Sequence, residues 1–320
     1  MWVSANRASR VLYNFLVTLN KKIVFIIPAN ICPVVLATFI KAKVQYQLVD
    51  IDRRTLCADI QLIKAVLAKG ELAYGLLFVR TFGSLLVRDA ELVDLKEGFK
   101  NLEVVIDDRC LCIPELDATK FSKAIDLTLF STGYSKFVEL GYGGFGWLSS
   151  QNKIKYKAPV LEFNETSHEK LVDDFNHAIS KRIKFQYSHD DWLDNRELPL
   201  PLSDYFNLID NKIKESLAHK QSINNIYRRI ISSEFWLGEE FDMWRFSILV
   251  KNKTKVIDEI FSNDLFASSH YSSMAGIFDD GKAQIASEVH SKIVNLFNDY
   301  RFDIEMAIRV AKIVNDEARK

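Results

Sequence analysis

The sequence predicts an α/β fold built around a mostly parallel sheet, and three observations predict it. Over the first 150 residues, short apolar runs alternate with segments of helical period at a regular spacing. The runs are continuous in Val, Ile, Leu and Phe, as strands buried on both faces require. Polar residues gather where those runs end, at 28–33, 107–109 and 131–136. Open parallel sheets hold their ligands there, outside the carboxyl ends of the strands.

Taken in order, Val11, Leu12, Phe15, Leu16 and Leu19 share one face of a helix. Residues 22–27, ending at Pro28, read as a buried strand, a helix follows Pro33, and 44–50 is a second strand. Helices over 60–68 and 85–99 alternate with strands over 73–79 and 102–106, the latter ending in Asp107 and Asp108. Strands over 125–130 and 143–148 close the series. Strands separated by helices of about 10–15 residues form βαβ units.

Past residue 150 the pattern changes. Residues 156–166 are irregular, 169–185 are helical, and 188–202, with Trp192 and two prolines, form an ordered crossing loop. Helical stretches over 205–220 and 224–233 precede a strand over 244–250. The chain closes on an amphipathic helix over 302–318, with Ile304, Ala307, Val310, Ile313 and Val314 on one face. The expected division is a large α/β unit over 1–190 and a smaller α+β unit over 191–320.

Composition narrows the function. At 320 residues and 48% hydrophobic, the chain can bury a large core and a smaller one. Lys plus Arg equals Asp plus Glu, 42 each, so no basic field points to nucleic acid. Its four cysteines are too few and too irregular for a disulfide framework, and Cys110 and Cys112 do not make a zinc pair. Reduced thiols, no signal core and no apolar run near the ~20 residues of a membrane span fit a soluble, cytoplasmic protein. Six scattered histidines form no metal motif, and neither a phosphate-loop lysine, a GxGxxG nor a GxSxG elbow occurs.

The segment LTLFSTGYSKFVELGYGGFGWL at 127–148 stands apart. A strand runs into Ser131, Thr132, Gly133 and Tyr134, then Lys136, then glycines at 141, 143, 144 and 146. Glycine at that density suits close approach of backbone to a ligand, although a surface lysine in a glycine-rich hairpin would read the same.

With VVIDDRC at 104–110 and residues 24–56, this segment resembles the DegT/DnrJ/StrS family of sugar aminotransferases, fold-type-I enzymes that use pyridoxal phosphate. Pro28, 49–52, 106–108 and 130–144 are similar to family motifs in the family's order, and RTFG at 80–83 looks like a further family strand end. HYSSM at 270–274 and NLFNDYRF at 295–302 extend the resemblance into the last third. The resemblance implies a fold-type-I pyridoxal-phosphate transferase with the cofactor as a Schiff base on Lys136. Its substrates would be an amino-acid donor, glutamate above all, and a keto-sugar linked to a nucleotide.

Physical chemistry explains why those residue types belong together. A lysine amine attacks the cofactor aldehyde and later carries a proton between carbons. A carboxylate about 4 Å from the pyridine nitrogen supplies roughly 4 kcal/mol at an effective dielectric of 20, about three pKa units. The resemblance gives that role to Asp108, and leaves Asp107 as a structural acid that tolerates Asn. Ser131 matches the phosphate serine, while aligning the amino-terminal turn places Ser9 and Arg10 at the phosphate, with Arg7 and Ala8 departing from the pattern. Cys32 falls where relatives stack an aromatic ring. His270, Tyr271 and Arg245 are the candidates for substrate contact, and the implied assembly is a homodimer. The asparagine motif that relatives send into the partner's phosphate site is missing from 189–201, and Asn195 is not assigned to it. Two other readings stay open, a catalytically silent regulatory or assembly member and a sugar dehydratase. Lys136 argues against the second, because that branch carries histidine there.

Overall fold

The computed structural model describes residues 1–19, 22–70, 72–149, 156, 158–188 and 190–319; His189, one of the six histidines, lies outside the described residues. The first half runs β1 (Trp2–Ala5), α1 (Ala8–Leu16), β2 (Val24–Pro28), α2 (Pro33–Ala42), β3 (Gln45–Val49), α3 (Ile60–Leu67) and β4 (Tyr74–Val79). It continues through α4 (Asp89–Gly98), β5 (Leu102–Asp108), β6 (Leu127–Ser131) and β7 (Gly144–Leu148). Then follow α5 (Glu165–Lys181), α6 (Leu202–Ile230), β8 (Phe246–Leu249), α7 (Lys253–Ser262), β9 (Ala267–Ser268), α8 (Gln284–Lys292), β10 (Ile293–Leu296) and α9 (Ile304–Ala318).

Seven strands form one sheet in the order β1-β7-β6-β5-β4-β2-β3. From β3 to β6 every pairing is parallel, while β7 and then β1 add antiparallel at one edge. The central strands are the continuous apolar runs of the sequence, and β4 is buried at all six positions. One apolar cluster under the sheet joins Phe15, Phe25, Phe39 and Ile106 to Leu171 and Phe175 of α5, and also to Trp192 and Leu193.

The helical stretches expected over 205–220 and 224–233 are one helix, α6, 29 residues long. Its middle is polar in sequence yet buried, because each polar group is satisfied. Lys220 Nζ donates to the Trp244 carbonyl at 2.8 Å and to Asn298 Oδ1 at 2.9 Å, and Asn224 Nδ2 donates to the Asp242 carbonyl at 3.0 Å. The helix also links two cores. Tyr205 and Ile209 pack with Phe130 and Phe145, whereas Ile223 and Tyr227 pack with Ile248, Val294 and Val310. The change from one core to the other therefore falls inside α6. Beyond it, β8, β10 and β9 form a small antiparallel sheet covered by α7 and α9. Among the described residues no helix is long and apolar enough to cross a membrane, and no three His, Cys, Asp or Glu side chains gather as a metal-ligand set.

Candidate active site

Because β2, β4, β5 and β6 run parallel, their carboxyl ends meet on one edge, and a cavity of about 210 Å³ opens there. Ser9, Cys32, Asp108, Ser131, Lys136 and Tyr271 all line it, against a wall of Leu12, Ile31, Val34, Val79 and Leu129. These six come from positions as far apart as 9 and 271, and the topology brings them together.

Two glycines let neighbouring elements approach closely here, Gly144 admitting α1 and Gly143 admitting Tyr205. An added Cβ at Gly144 would lie 2.2 Å from the Ala8 nitrogen, so the first turn of α1 rests directly on β7. Gly143, at φ +93°, occupies the left-handed region, and a Cβ there would strike the Tyr205 hydroxyl at 2.3 Å.

Asp107 and Asp108 are consecutive on β5, so their side chains leave on opposite faces. Asp107 is wholly buried in an ion cluster: Arg80 donates to its two oxygens at 2.8 and 3.1 Å, and Arg109 Nε donates at 2.7 Å. Asp89 completes the cluster, accepting from Arg80 at 2.8 Å and from Arg109 at 2.6 Å. Asp107 is thus the hub that fixes the end of β5, so Asp107→Asn would cost stability even where the chemistry is spared. Asp108 faces the cleft and accepts from the Cys110 N–H at 2.9 Å. Burial raises its carboxyl above the ordinary range, while Cys110 and the Lys136 charge pull it down.

Lys136 sits in a loop tied at several points. Thr132 Oγ1 meets the Tyr142 carbonyl and the Tyr205 hydroxyl, each at 2.6 Å. Ser135, at φ +57°, donates its N–H to Glu139 at 2.8 Å, and Glu139 is in turn paired with Arg301. Trp244, two residues ahead of β8, donates Nε1–H to the Ser135 carbonyl at 2.7 Å. The Lys136 ammonium itself makes no hydrogen bond or ion pair to any described residue. A second cavity of about 460 Å³ also includes Lys136 in its wall, beside Phe137, His219, Lys220 and Asp299.

Other expected residues fall elsewhere. Arg10 turns away from the cleft and donates to the Pro159 carbonyl beside the Tyr13 ring, because on α1 it sits about 100° round from Ser9 and nearly opposite Leu12. Arg245 is buried behind the cleft, between the Phe297 ring at 3.8 Å and the Trp244 ring at 4.6 Å, and donates to Ser268. Burial pushes its guanidinium down to about 10. His270 packs on Trp244 and Tyr271, and burial with the Arg245 and Lys136 charges pushes it down to about 4. Cys32 is the residue ahead of α2, and burial raises its thiol.

Sequence reasoning missed Arg7 and Cys110, which line the cavity, and Trp244, which holds the lysine loop. For Trp244 a signal existed, a tryptophan at the head of a predicted strand. The Arg7 contacts span 134 and 187 residues and left none.

No family model matches the sequence, and no curated protein matches it. Solved structures do. The sugar aminotransferase CalS13 from Micromonospora echinospora superposes with a TM-score of 0.69 at 15% identity, over 98% of this chain and 87% of that one. A DegT DnrJ EryC1 StrS aminotransferase from Brucella abortus gives 0.65 at 13%, over 100% and 86%. The E. coli GDP-4-keto-6-deoxy-D-mannose-3-dehydratase with bound hydrated PLP gives 0.65 at 14%, over 98% and 87%. The chain has the fold of these enzymes, the fold-type-I architecture of the pyridoxal-phosphate-dependent aminotransferases.

Proposed function

We propose that this chain is a pyridoxal-phosphate-dependent aminotransferase that moves an amino group from an amino acid, glutamate above all, to a keto-sugar carried on a nucleotide. The observation that carries the reading is the pairing across one cleft of Lys136, which has no hydrogen bond or ion pair among the described residues, with the buried Asp108 carboxylate. Burial alone disfavours the Asp108 charge, and a protonated ring nitrogen opposite it would restore the ionised form. The donor set therefore fits the cofactor: an amine for its aldehyde, an acid for its ring nitrogen, hydroxyls of Ser9 and Ser131 for its phosphate, and Cys32 as a small polarizable contact. Pyridoxal phosphate, when bound, supplies an electron sink for the pair left when a substrate C–H bond breaks.

The residues divide the remaining work. Lys136 Nζ would hold the cofactor through its aldehyde and would move the proton between the substrate carbon and the cofactor carbon. Asp108 would hold the ring nitrogen in its protonated form. Asp107, through Arg80 and Arg109, keeps the β5 end in place. Tyr271 borders the cleft on the substrate side, and Arg245 and His270 support it from behind through Trp244. The second cavity, which shares Lys136 with the first, would offer room for the sugar. The reading includes a homodimer acting in the cytoplasm.

Absorbance tests it directly. Purified protein titrated with pyridoxal phosphate should develop a visible band that shifts when glutamate is added. No band refutes cofactor binding, and a band that glutamate leaves unchanged refutes the aminotransferase reading in favour of a silent or dehydratase-like member. Size-exclusion chromatography with light scattering should give twice the 36.8 kDa chain mass, and a cofactor-binding monomer would refute the dimer.

A further inference from the structure

We infer that Arg7 supplies a fixed positive charge for the phosphate of the cofactor from within the same chain, and so selects phosphorylated pyridoxal over the free aldehyde. The inference rests on the cofactor reading above. Arg7 precedes α1 with an extended backbone, φ −141° and ψ 143°, and lines the cavity beside Ser9 and Ser131. A Cβ built on Gly133 would lie 3.5 Å from Ser131 Oγ and 3.6 Å from Arg7 Nη1. The hydroxyl and the guanidinium therefore flank a space bounded by backbone alone, which any side chain at 133 would fill.

The charge is held in place before any ligand arrives. Arg7 Nη1 donates to the Gly141 carbonyl at 2.8 Å, and the guanidinium lies 5.6 Å from the Tyr134 ring centroid. Its Nε is 3.6 Å from Asp194, whose carboxylate is shared. Arg196 grips Asp194 with two donors, at 2.8 and 2.6 Å, and Asn6 donates at 2.7 Å. Although burial opposes it, these bonds hold Asp194 below its ordinary pKa. Two guanidiniums therefore share one carboxylate, and the cluster of Arg7, Asp194 and Arg196 keeps a net positive charge. The Arg7 side chain remains 31% exposed at the cleft.

The start of α1 adds to that charge. Helix α1 is nine residues long, with no acidic residue in its first turn and no side-chain cap. Its leading N–H groups and the positive end of its dipole face the same region, where an anion is stabilised. A guanidinium brings fork-shaped donors to a phosphate, which a hydroxyl pair cannot. The competing role is purely structural, with Arg7 serving to hold Asp194 and the 141 turn.

The test compares two ligands on two proteins. Wild type and Arg7→Gln are titrated by absorbance with pyridoxal 5′-phosphate and with pyridoxal, which has the aldehyde and ring but no phosphate. Arg7→Gln should weaken pyridoxal phosphate by roughly tenfold or more, the loss expected for a charge-assisted hydrogen bond, and leave pyridoxal within about twofold. Inorganic phosphate should compete with pyridoxal phosphate on wild type and less on Arg7→Gln. Equal losses for both ligands, or no loss for either, would overturn the inference. Wild type that binds neither ligand would instead sink the cofactor reading. Should Arg7→Gln fail to fold, by far-UV circular dichroism, Arg7→Met replaces it: a loss confined to the phosphorylated ligand supports the assignment, and an equal loss for both, or no loss for either, refutes it.

Discussion

Replacing Asp107 with Asn should destabilise the chain by about 3 kcal/mol, at the lower end of the range for breaking a buried ion pair. Asp107 has no exposed surface and accepts from two arginines, one of which, Arg80, is also fully buried. An amide keeps one acceptor oxygen but turns an N–H₂ toward a guanidinium, leaving Asp89, which is 34% exposed, as the one carboxylate of the cluster. Since folded domains hold roughly 5–15 kcal/mol in reserve, the loss is a large fraction of the whole. Urea unfolding followed by circular dichroism measures it, with the exposed pair Arg53–Glu288 as control. Arg53→Ala should cost far less than Asp107→Asn, and that small effect should fade in salt. Because the Asp107 pairs are buried, the Asp107→Asn loss should persist at high salt. An Asp107→Asn loss as small as the control would refute the claim that this cluster anchors the β5 end.

Three further outcomes follow from the geometry. Gly144→Ala should cost about 3 kcal/mol by pushing α1 off β7, since its Cβ meets Ala8 backbone at 2.2 Å, whereas Gly98→Ala, with nothing within 4 Å, should be neutral or slightly stabilising; equal unfolding midpoints would show that α1 does not rest on this glycine. His270 has a folded pKa of about 4, below the ordinary 6.5, so its contribution is intact above pH 6.5 and is lost as pH falls toward 4, by at most about 3 kcal/mol. His290 is pushed down to about 4 as well, so His270→Gln should flatten the acid limb of the stability curve in part, and superimposable curves would contradict this. Asp108→Asn should abolish the glutamate-driven absorbance shift while leaving the fold intact; an unaltered shift would move the ring-nitrogen contact elsewhere.

Much of the sheet was legible because buried parallel strands are written as continuous apolar runs, and β2, β4, β5 and β6 all are. The cleft was legible at strand ends, where Asp108, Ser131 and Lys136 break those runs. What stayed hidden was short or non-local. Strand β1 has four residues and gains its place from pairing with β7, far along the chain. Strand β10 carries Asn295, fully buried because it bonds Ser247 and the His270 N–H, a satisfaction that no local pattern reveals. The continuity of α6 depends on carbonyls of Asp242 and Trp244 that cap its buried polar middle. Arg10 was misplaced by alignment to a motif, one position out of the face that α1 presents to the cleft, and Arg7 turned out to line it.

The central claim is that Lys136 carries the cofactor. Borohydride reduction of the protein loaded with pyridoxal phosphate, followed by peptide mapping, addresses that atom directly. The account predicts a phosphopyridoxyl group on Lys136 and none on Lys136→Ala. Label on another lysine, with Lys136→Ala still trapping the cofactor, would contradict it.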